Sequence, residues 1–79
     1  MTEEYVIEYK YENEIIKINC IITKSVDFKN WFNYNASFTN EETNYKTVFE
    51  GSIQALNIDK AKMKIYGIID DYFDDDIAF

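Results

Sequence analysis

The sequence contains no histidine, no arginine and no proline, and it has only two glycines and one cysteine. Without histidine, a single chain cannot assemble the Ser/His or Cys/His nucleophile systems. Two isolated glycines, Gly51 and Gly67, cannot form a glycine-rich phosphate loop. The lone Cys20 excludes an intrachain disulfide and favours a reducing compartment. These absences predict a protein that is not an enzyme and has no catalytic residues.

The charge is strongly unbalanced toward acid. Fifteen Asp and Glu oppose eight Lys, which gives a net charge of −7. Because phosphate binding requires Lys or Arg to replace counterions, the sequence predicts no direct contact with nucleic acid, and an anionic membrane is equally disfavoured. The expected partner therefore carries a basic surface. A simpler alternative is that the acidity only keeps a small, aromatic-rich protein in solution.

Length and composition predict one domain spanning residues 1–79. Twelve Ile, seven Tyr, six Phe and one Trp supply the core. The N-terminal stretch MTEEYVIEYK lacks the basic and apolar regions of a signal peptide, and no apolar run reaches membrane-spanning length, so we expect a cytoplasmic protein.

The sequence offers few ligands for a metal ion. One cysteine together with carboxylates is a poor set of zinc ligands, and the acidic segment at the C-terminus lacks the spacing of a calcium-binding loop. We therefore predict no metal and no cofactor.

Alternation of apolar and polar residues predicts four β-strands in two hairpins. In the first hairpin, Tyr5–Tyr11 and Ile16–Ile22 flank a short turn in which Asn13 can adopt a positive φ. In the second, Phe32–Phe38 and Tyr45–Ala55 flank a polar loop at Asn40–Asn44.

The fourth segment also has a rival interpretation. Apolar residues between Glu41 and Leu56 fit helical spacing as well. The strand is favoured because the alternation is longer, the residue types prefer β-structure, and Gly51 would weaken a helix interior.

The last segment changes to a helical period. Its apolar residues form one stripe at i, i+4, i+7, i+8, i+11 and i+12: Ala61, Ile65, Ile68, Ile69, Tyr72 and Phe73. This pattern predicts a helix from an N-cap at Asp59 to about Phe73. The predicted fold is α+β, a four-stranded antiparallel sheet with one C-terminal helix on one face (ββββα). The opposite face of the sheet should be open to water.

Five aspartates crowd the C-terminal end of the predicted helix, where the helix dipole is negative. There, each exposed acid costs about 0.3–1 kcal/mol at low salt. Local rules broken without evident gain tend to mark functional sites. Carboxylates one turn apart lie about 5–6 Å from each other at Cβ, so acids that point outward could imitate consecutive phosphates. We therefore predict a partner-binding site, to which Tyr72 adds stacking: Asp70, Asp71, Tyr72, Asp74, Asp75 and Asp76. The alternative is that the acids form a solvated, partly frayed tail and that Tyr72 and Phe73 both face the core.

The segment DDYFDDD, the acidic composition without Arg or His, and the compact sheet-plus-helix layout together carry a resemblance. The chain resembles the small acidic proteins with which phages inhibit host nucleases, including anti-CRISPR and anti-restriction proteins that mimic DNA. The resemblance is one of general character and transfers no site residue. It implies a viral protein, acting in the host cytoplasm, that occupies a basic nucleic-acid-binding channel without cofactor or turnover.

A second hypothesis uses the sheet instead of the helix. A structural or regulatory module could form a homodimer or dock a partner through its open face or an exposed edge strand. Five scattered apolar side chains are expected on that face: Val6, Ile15, Ile21, Trp31 and Val48. The sequence leaves open whether the protein is a monomer or a homodimer.

Overall fold

The computed structural model describes residues 1–77, with side chains through Asp74. Its elements are β1 (Thr2–Tyr11), β2 (Glu14–Lys24), β3 (Trp31–Thr39), β4 (Lys46–Gln54) and α1 (Ile58–Ile77). The strands form one antiparallel sheet in the order β1-β2-β3-β4. The predicted ββββα fold is therefore confirmed, and the chain at Lys46–Gln54 is a strand, not a helix.

The sheet register places the core-facing apolar side chains of the four strands on one face. Ile7 pairs with Ile18, and Cys20 lies between Tyr5 and Ala36 on the neighbouring strands. Because side chains along a strand alternate between the two faces of the sheet, this register brings the core-facing residues of neighbouring strands side by side. The helix buries the aligned face with its own stripe. The buried residues are Ile7, Tyr9, Ile18, Cys20, Ile22, Phe32, Ala36, Ala55, Ala61, Ile65, Ile69 and Phe73.

Three connections join the strands, and each uses one residue with positive φ. In the first turn this residue is Glu12, with φ 56°, so the prediction that Asn13 would adopt this conformation was wrong. Asn30 (φ 63°) and Asn44 (φ 61°) serve the other two connections. Asn is enriched among residues with positive φ because its short polar side chain tolerates this backbone conformation. The loop at 40–45 is closed by hydrogen bonds from Asn44 N to Asn40 O and from Asn40 N to Tyr45 O, both 2.8 Å.

The helix begins earlier and ends later than its sequence pattern predicts. Asn57 Oδ1 accepts a hydrogen bond from Lys60 N at 2.9 Å, so Asn57 is the N-cap and the assignment of Asp59 was wrong. Asp59 lies in the first turn, where its charge favours the helix dipole. The helix continues to Ile77, past the predicted end at Phe73. No glycine or proline lies between Phe73 and Ile77 to stop it.

The face of the sheet away from the helix is open and polar. Its five predicted apolar residues are all exposed, from 37% for Trp31 to 64% for Ile15. Across the strands, Val6 and Val48 are separated by the polar pair Asn19 and Ser37. These apolar groups are therefore scattered among polar ones and do not form a continuous patch.

Candidate partner-binding site

Phe73 is the aromatic side chain that packs most deeply between the C-terminal half of α1 and the sheet. Phe73 is buried and stacks on Tyr9, with ring centroids 4.8 Å apart. It also contacts Tyr11 at 5.0 Å and Phe38 at 5.7 Å. Phe73 thereby joins the helix to β1 and β3, and it orients the acidic helix end, which we define as Asp70, Asp71, Asp74, Asp75 and Asp76.

Asp70 turns toward the sheet. Its Oδ1 atom accepts a hydrogen bond of 2.5 Å from the hydroxyl of Tyr9. This bond, helped by burial, raises the pKa of the Tyr9 phenol. The charge pattern of the sequence predicts an outward-pointing carboxylate at Asp70 and does not reveal this pairing. The available signal is Tyr9 itself, because a tyrosine on the core face of a strand needs a partner for its hydroxyl.

The other acids divide into two groups. The Asp71 and Asp74 side chains are exposed. Asp75 and Asp76 belong to the last turn of the helical backbone, but their side chains lie outside the described residues. Asp71 and Asp74 are three positions apart on a helix and are therefore neighbours on its surface.

Tyr72 lies between these acids in sequence but points along the flank of the helix toward β4. Its ring forms a T-shaped pair with Phe49, with centroids 5.0 Å apart, and remains 38% exposed. It borders a groove of about 400 Å³ between the helix end and the sheet, which we call the aromatic groove. Tyr45, which is 70% exposed, lines the same groove and was not singled out from the sequence.

Positive charge collects at the opposite end of the helix. Lys62 forms an ion pair with Glu3, and its Nζ atom lies 4.6 Å from the centroid of the Tyr5 ring. Lys64 Nζ donates to Gln54 O at 2.5 Å. Lys62 and Lys64 are thus engaged in the N-terminal half of the helix, one or more turns away from Asp71 and Asp74.

The remaining chemistry of the described chain is limited. Cys20 is only 1% exposed, and burial raises the pKa of its thiol, so the reactive thiolate is disfavoured. Among the side chains described, no three acidic or sulfur groups converge as a metal site would require. None of the described residues form a helix long and apolar enough to cross a membrane.

Comparisons with known proteins found no similar sequence or fold. No protein-family model matches the chain, and no curated protein and no solved structure matches it significantly. The function must therefore be inferred from the residues and their geometry.

The acids of the last helical turn should destabilise the free protein. The last turn of α1 contains no basic residue, and Asp70/Asp74 and Asp71/Asp75 are like-charge pairs four residues apart. We expect the triple variant Asp74→Lys, Asp75→Lys, Asp76→Lys to melt several degrees higher than the parent at low salt, since about 1 kcal/mol corresponds to about 4–8 °C in a domain of this size. Added salt should narrow the difference by screening.

A matched variant distinguishes an effect of the helix dipole from an effect of the net charge. Asp27, Glu41 and Glu42 are exposed loop acids, and their replacement by Lys changes the net charge by the same amount. If both triple variants melt at the same raised temperature, general charge repulsion is the cause and the helix dipole is not.

Proposed function

We propose that this protein is a non-enzymatic acidic binding protein, a phage-type inhibitor that occupies a basic nucleic-acid-binding surface of a host nuclease or defence complex such as a CRISPR effector. One observation carries the proposal. The aspartates belong to a helix that continues to Ile77, and the exposed Asp71 and Asp74 side chains stand on a turn that Phe73 fixes to the sheet. Acids on a fixed helix keep their spacing, as a mimic of a phosphate backbone requires.

The energetics of such a site follow from its charge. A net charge of −7 on a small domain attracts a basic channel over a long range and raises the association rate by about 10–10³-fold at low salt. The acids compete for the same Lys and Arg that would otherwise contact phosphates. Neither a cofactor nor turnover is needed, because binding alone blocks the channel. We propose that the protein meets this partner in the cytoplasm of the host cell.

Neutralising the exposed acids tests it. In the quadruple variant Asp71→Asn, Asp74→Asn, Asp75→Asn, Asp76→Asn, Asp70 is retained because it accepts the Tyr9 hydrogen bond. We expect the affinity for the partner captured from the native host to fall by about 10- to 100-fold at low salt, mainly through slower association. Surface plasmon resonance over a range of salt concentrations measures both quantities.

A control variant with the same net charge as the quadruple aspartate variant tests whether the loss of binding is specific to the acids of the helix. Glu4→Gln, Glu8→Gln, Asp27→Asn and Glu50→Gln remove four exposed acids from the open face and a distant loop. Both quadruple variants carry a net charge of −3, since each loses four of the charges behind −7. Equal losses in the two variants would mean that only total charge matters, and unchanged binding in the helix variant would end the proposal.

The sheet-based module remains a second candidate, supported by a different observation. β1 and β4 are edge strands, and Val6 and Val48 on them are about half exposed. Exposed edges can pair with another strand. Sedimentation equilibrium at high protein concentration tests the homodimer form: a dimer would support it, and a monomer would exclude it.

A further inference from the structure

The aromatic groove is formed by residues that are distant in sequence. All four strands, the loop after β3 and the helix end contribute to a space of about 400 Å³. Five of the side chains that line it are aromatic, and one is acidic: Tyr11, Phe38, Tyr45, Tyr72, Phe73 and Glu14. This composition differs from that of the open sheet face, which is mainly polar.

The walls of the groove are held in place by the fold. The buried Phe73 fixes the floor against Tyr11 and Phe38. Tyr72 is held by its T-shaped pair with Phe49, with ring centroids 5.0 Å apart, yet it stays 38% exposed. Tyr45 is the last residue of the loop at 40–45, in which Asn40 Oδ1 accepts hydrogen bonds from Glu42 N and Thr43 N, at 2.9 and 3.3 Å. The exposed part of the Tyr72 ring is therefore available to a ligand at little ordering cost.

The electrostatics of the groove select a cation. Among the described residues that line it, Glu14 is the charged one and none is basic. Asp74 lies one residue beyond Phe73 and adds negative charge at the helix end. The faces of aromatic rings are also negative, because of their quadrupole, and attract cations within about 6 Å. An uncharged apolar ligand would not gain this electrostatic attraction.

We propose that the aromatic groove receives an arginine side chain from the basic surface of the partner. The guanidinium group stacks on the exposed face of Tyr72 or Tyr45 and donates hydrogen bonds to the Glu14 carboxylate. Arginine suits this site better than lysine because its planar, weakly hydrated head group stacks on aromatic rings and matches a carboxylate with two donors. The partner's identity rests on the proposed function, whereas the chemistry of the groove rests on its own residues.

Small probes test the groove directly. Capped Gly-Arg-Gly, Gly-Lys-Gly and Gly-citrulline-Gly peptides differ in charge and head-group shape at nearly equal size. We expect the arginine peptide to bind weakly and to shift the NMR signals of Tyr45, Tyr72 and Glu14. Trp31, on the opposite face of the sheet, should not respond and serves as an internal reference.

Two substitutions identify the contributing groups. Glu14→Gln removes the charge while keeping the shape of the groove, and Tyr45→Leu removes an aromatic face that is 70% exposed. Each should weaken arginine-peptide binding by about two- to fivefold, the value expected for a solvent-exposed cation–π contact or ion pair. Both positions are exposed, so neither variant should disturb folding, which circular dichroism verifies.

Several results would overturn the inference. Equal binding of the citrulline peptide would show an uncharged polar or apolar site. Equal binding of the lysine peptide would show that any cation is accepted and that arginine is not selected. Shifts confined to Asp71 and Asp74, without Tyr45 or Tyr72, would place the cation on the helix and outside the groove.

The same variants separate this inference from the proposed function. If the quadruple aspartate variant loses affinity for the partner but the arginine peptide fails to bind the parent protein, the proposed acidic inhibitor is supported and the arginine site in the groove is contradicted. If the peptide binds as expected but the quadruple variant keeps full affinity for the partner, the groove stands and the phosphate-mimicry proposal fails.

Discussion

Replacing Ile69 with alanine should lower the free energy of unfolding by about 2–5 kcal/mol, the range for large-to-small substitutions in a packed core. Ile69 is fully buried on the underside of α1, against the sheet. A domain of 79 residues has a total stability of roughly 4–12 kcal/mol, so the loss is a large fraction of the whole. Urea denaturation at 25 °C measures it. Ile69→Val should cost only about 0.5–1.5 kcal/mol.

Met63 provides the control on the same helix. Its side chain is 66% exposed, and alanine is the better helix former. Met63→Ala should therefore change the stability by less than about 0.5 kcal/mol in either direction. A comparable loss at both positions would mean that the helix does not pack on the sheet in the orientation described, and the placement of the acidic helix end would fail with it.

The second large effect concerns two tyrosines on the same face of β1. Tyr9→Phe removes the hydrogen bond to the Asp70 carboxylate and should destabilise the protein by about 1.5–3 kcal/mol, as expected for a bond to a charged group. Among the described residues, the buried hydroxyl of Tyr5 has no oxygen or nitrogen partner, and only the Cys20 thiol, a weak hydrogen-bonding group, lies near it. Tyr5→Phe should therefore be neutral or slightly stabilising, because it removes a desolvated polar group. Denaturation of both variants under one condition measures the contrast, and equal destabilisation would contradict it.

The same hydrogen bond predicts how stability depends on alkaline pH. The pKa of Tyr9 is raised in the folded protein, first by its bond to Asp70 and then by burial. The folded state therefore keeps this proton after the unfolded chain has lost it at its ordinary pKa of 10.0. The resulting stabilisation is complete below pH 10 and is lost as the pH rises further. Tyr5, whose pKa is raised by burial, acts in the same direction.

Melting curves between pH 8 and pH 11 check this prediction. The parent should lose stability steeply above about pH 10, and Tyr9→Phe should have a shallower slope there because one titrating group is gone. Identical slopes would indicate that Tyr9 ionises in the folded state as easily as in the unfolded chain, and that its bond to Asp70 does not form in solution.

The sequence by itself determined the element order and the faces of the sheet. Ile7, Ile18 and Ala36 could be assigned to the core because strands alternate with period two and one face must leave water. Ala61, Ile65 and Ile69 followed in the same way from the helical period. These patterns are local, since the next residues along the chain reveal them. The choice of strand over helix for Lys46–Gln54 also held, because β-propensity and period agreed there.

The ends of the helix were harder to predict than its buried stripe. Asn57 and Asp59 are both good N-cap residues, and only the path of the chain leaving β4 decides between them. At the other end, the apolar stripe stops at Phe73 and predicts the helix end there, yet the backbone remains helical through Asp74, Asp75 and Asp76 to Ile77. Each misplaced charge costs little compared with leaving the last helical turn unformed, so propagation outweighs the dipole.

Only the tertiary structure decided which side chains meet at the site. The pairing of Asp70 with Tyr9, the contacts of Phe73 with three aromatic rings, and the meeting of Tyr45 with Tyr72 in one groove join residues that are far apart along the chain. Such contacts depend on where the helix crosses the sheet and how it is rotated about its axis. Period alone shows which stripe of a helix is buried, but packing against particular strands sets the crossing angle and the position along them.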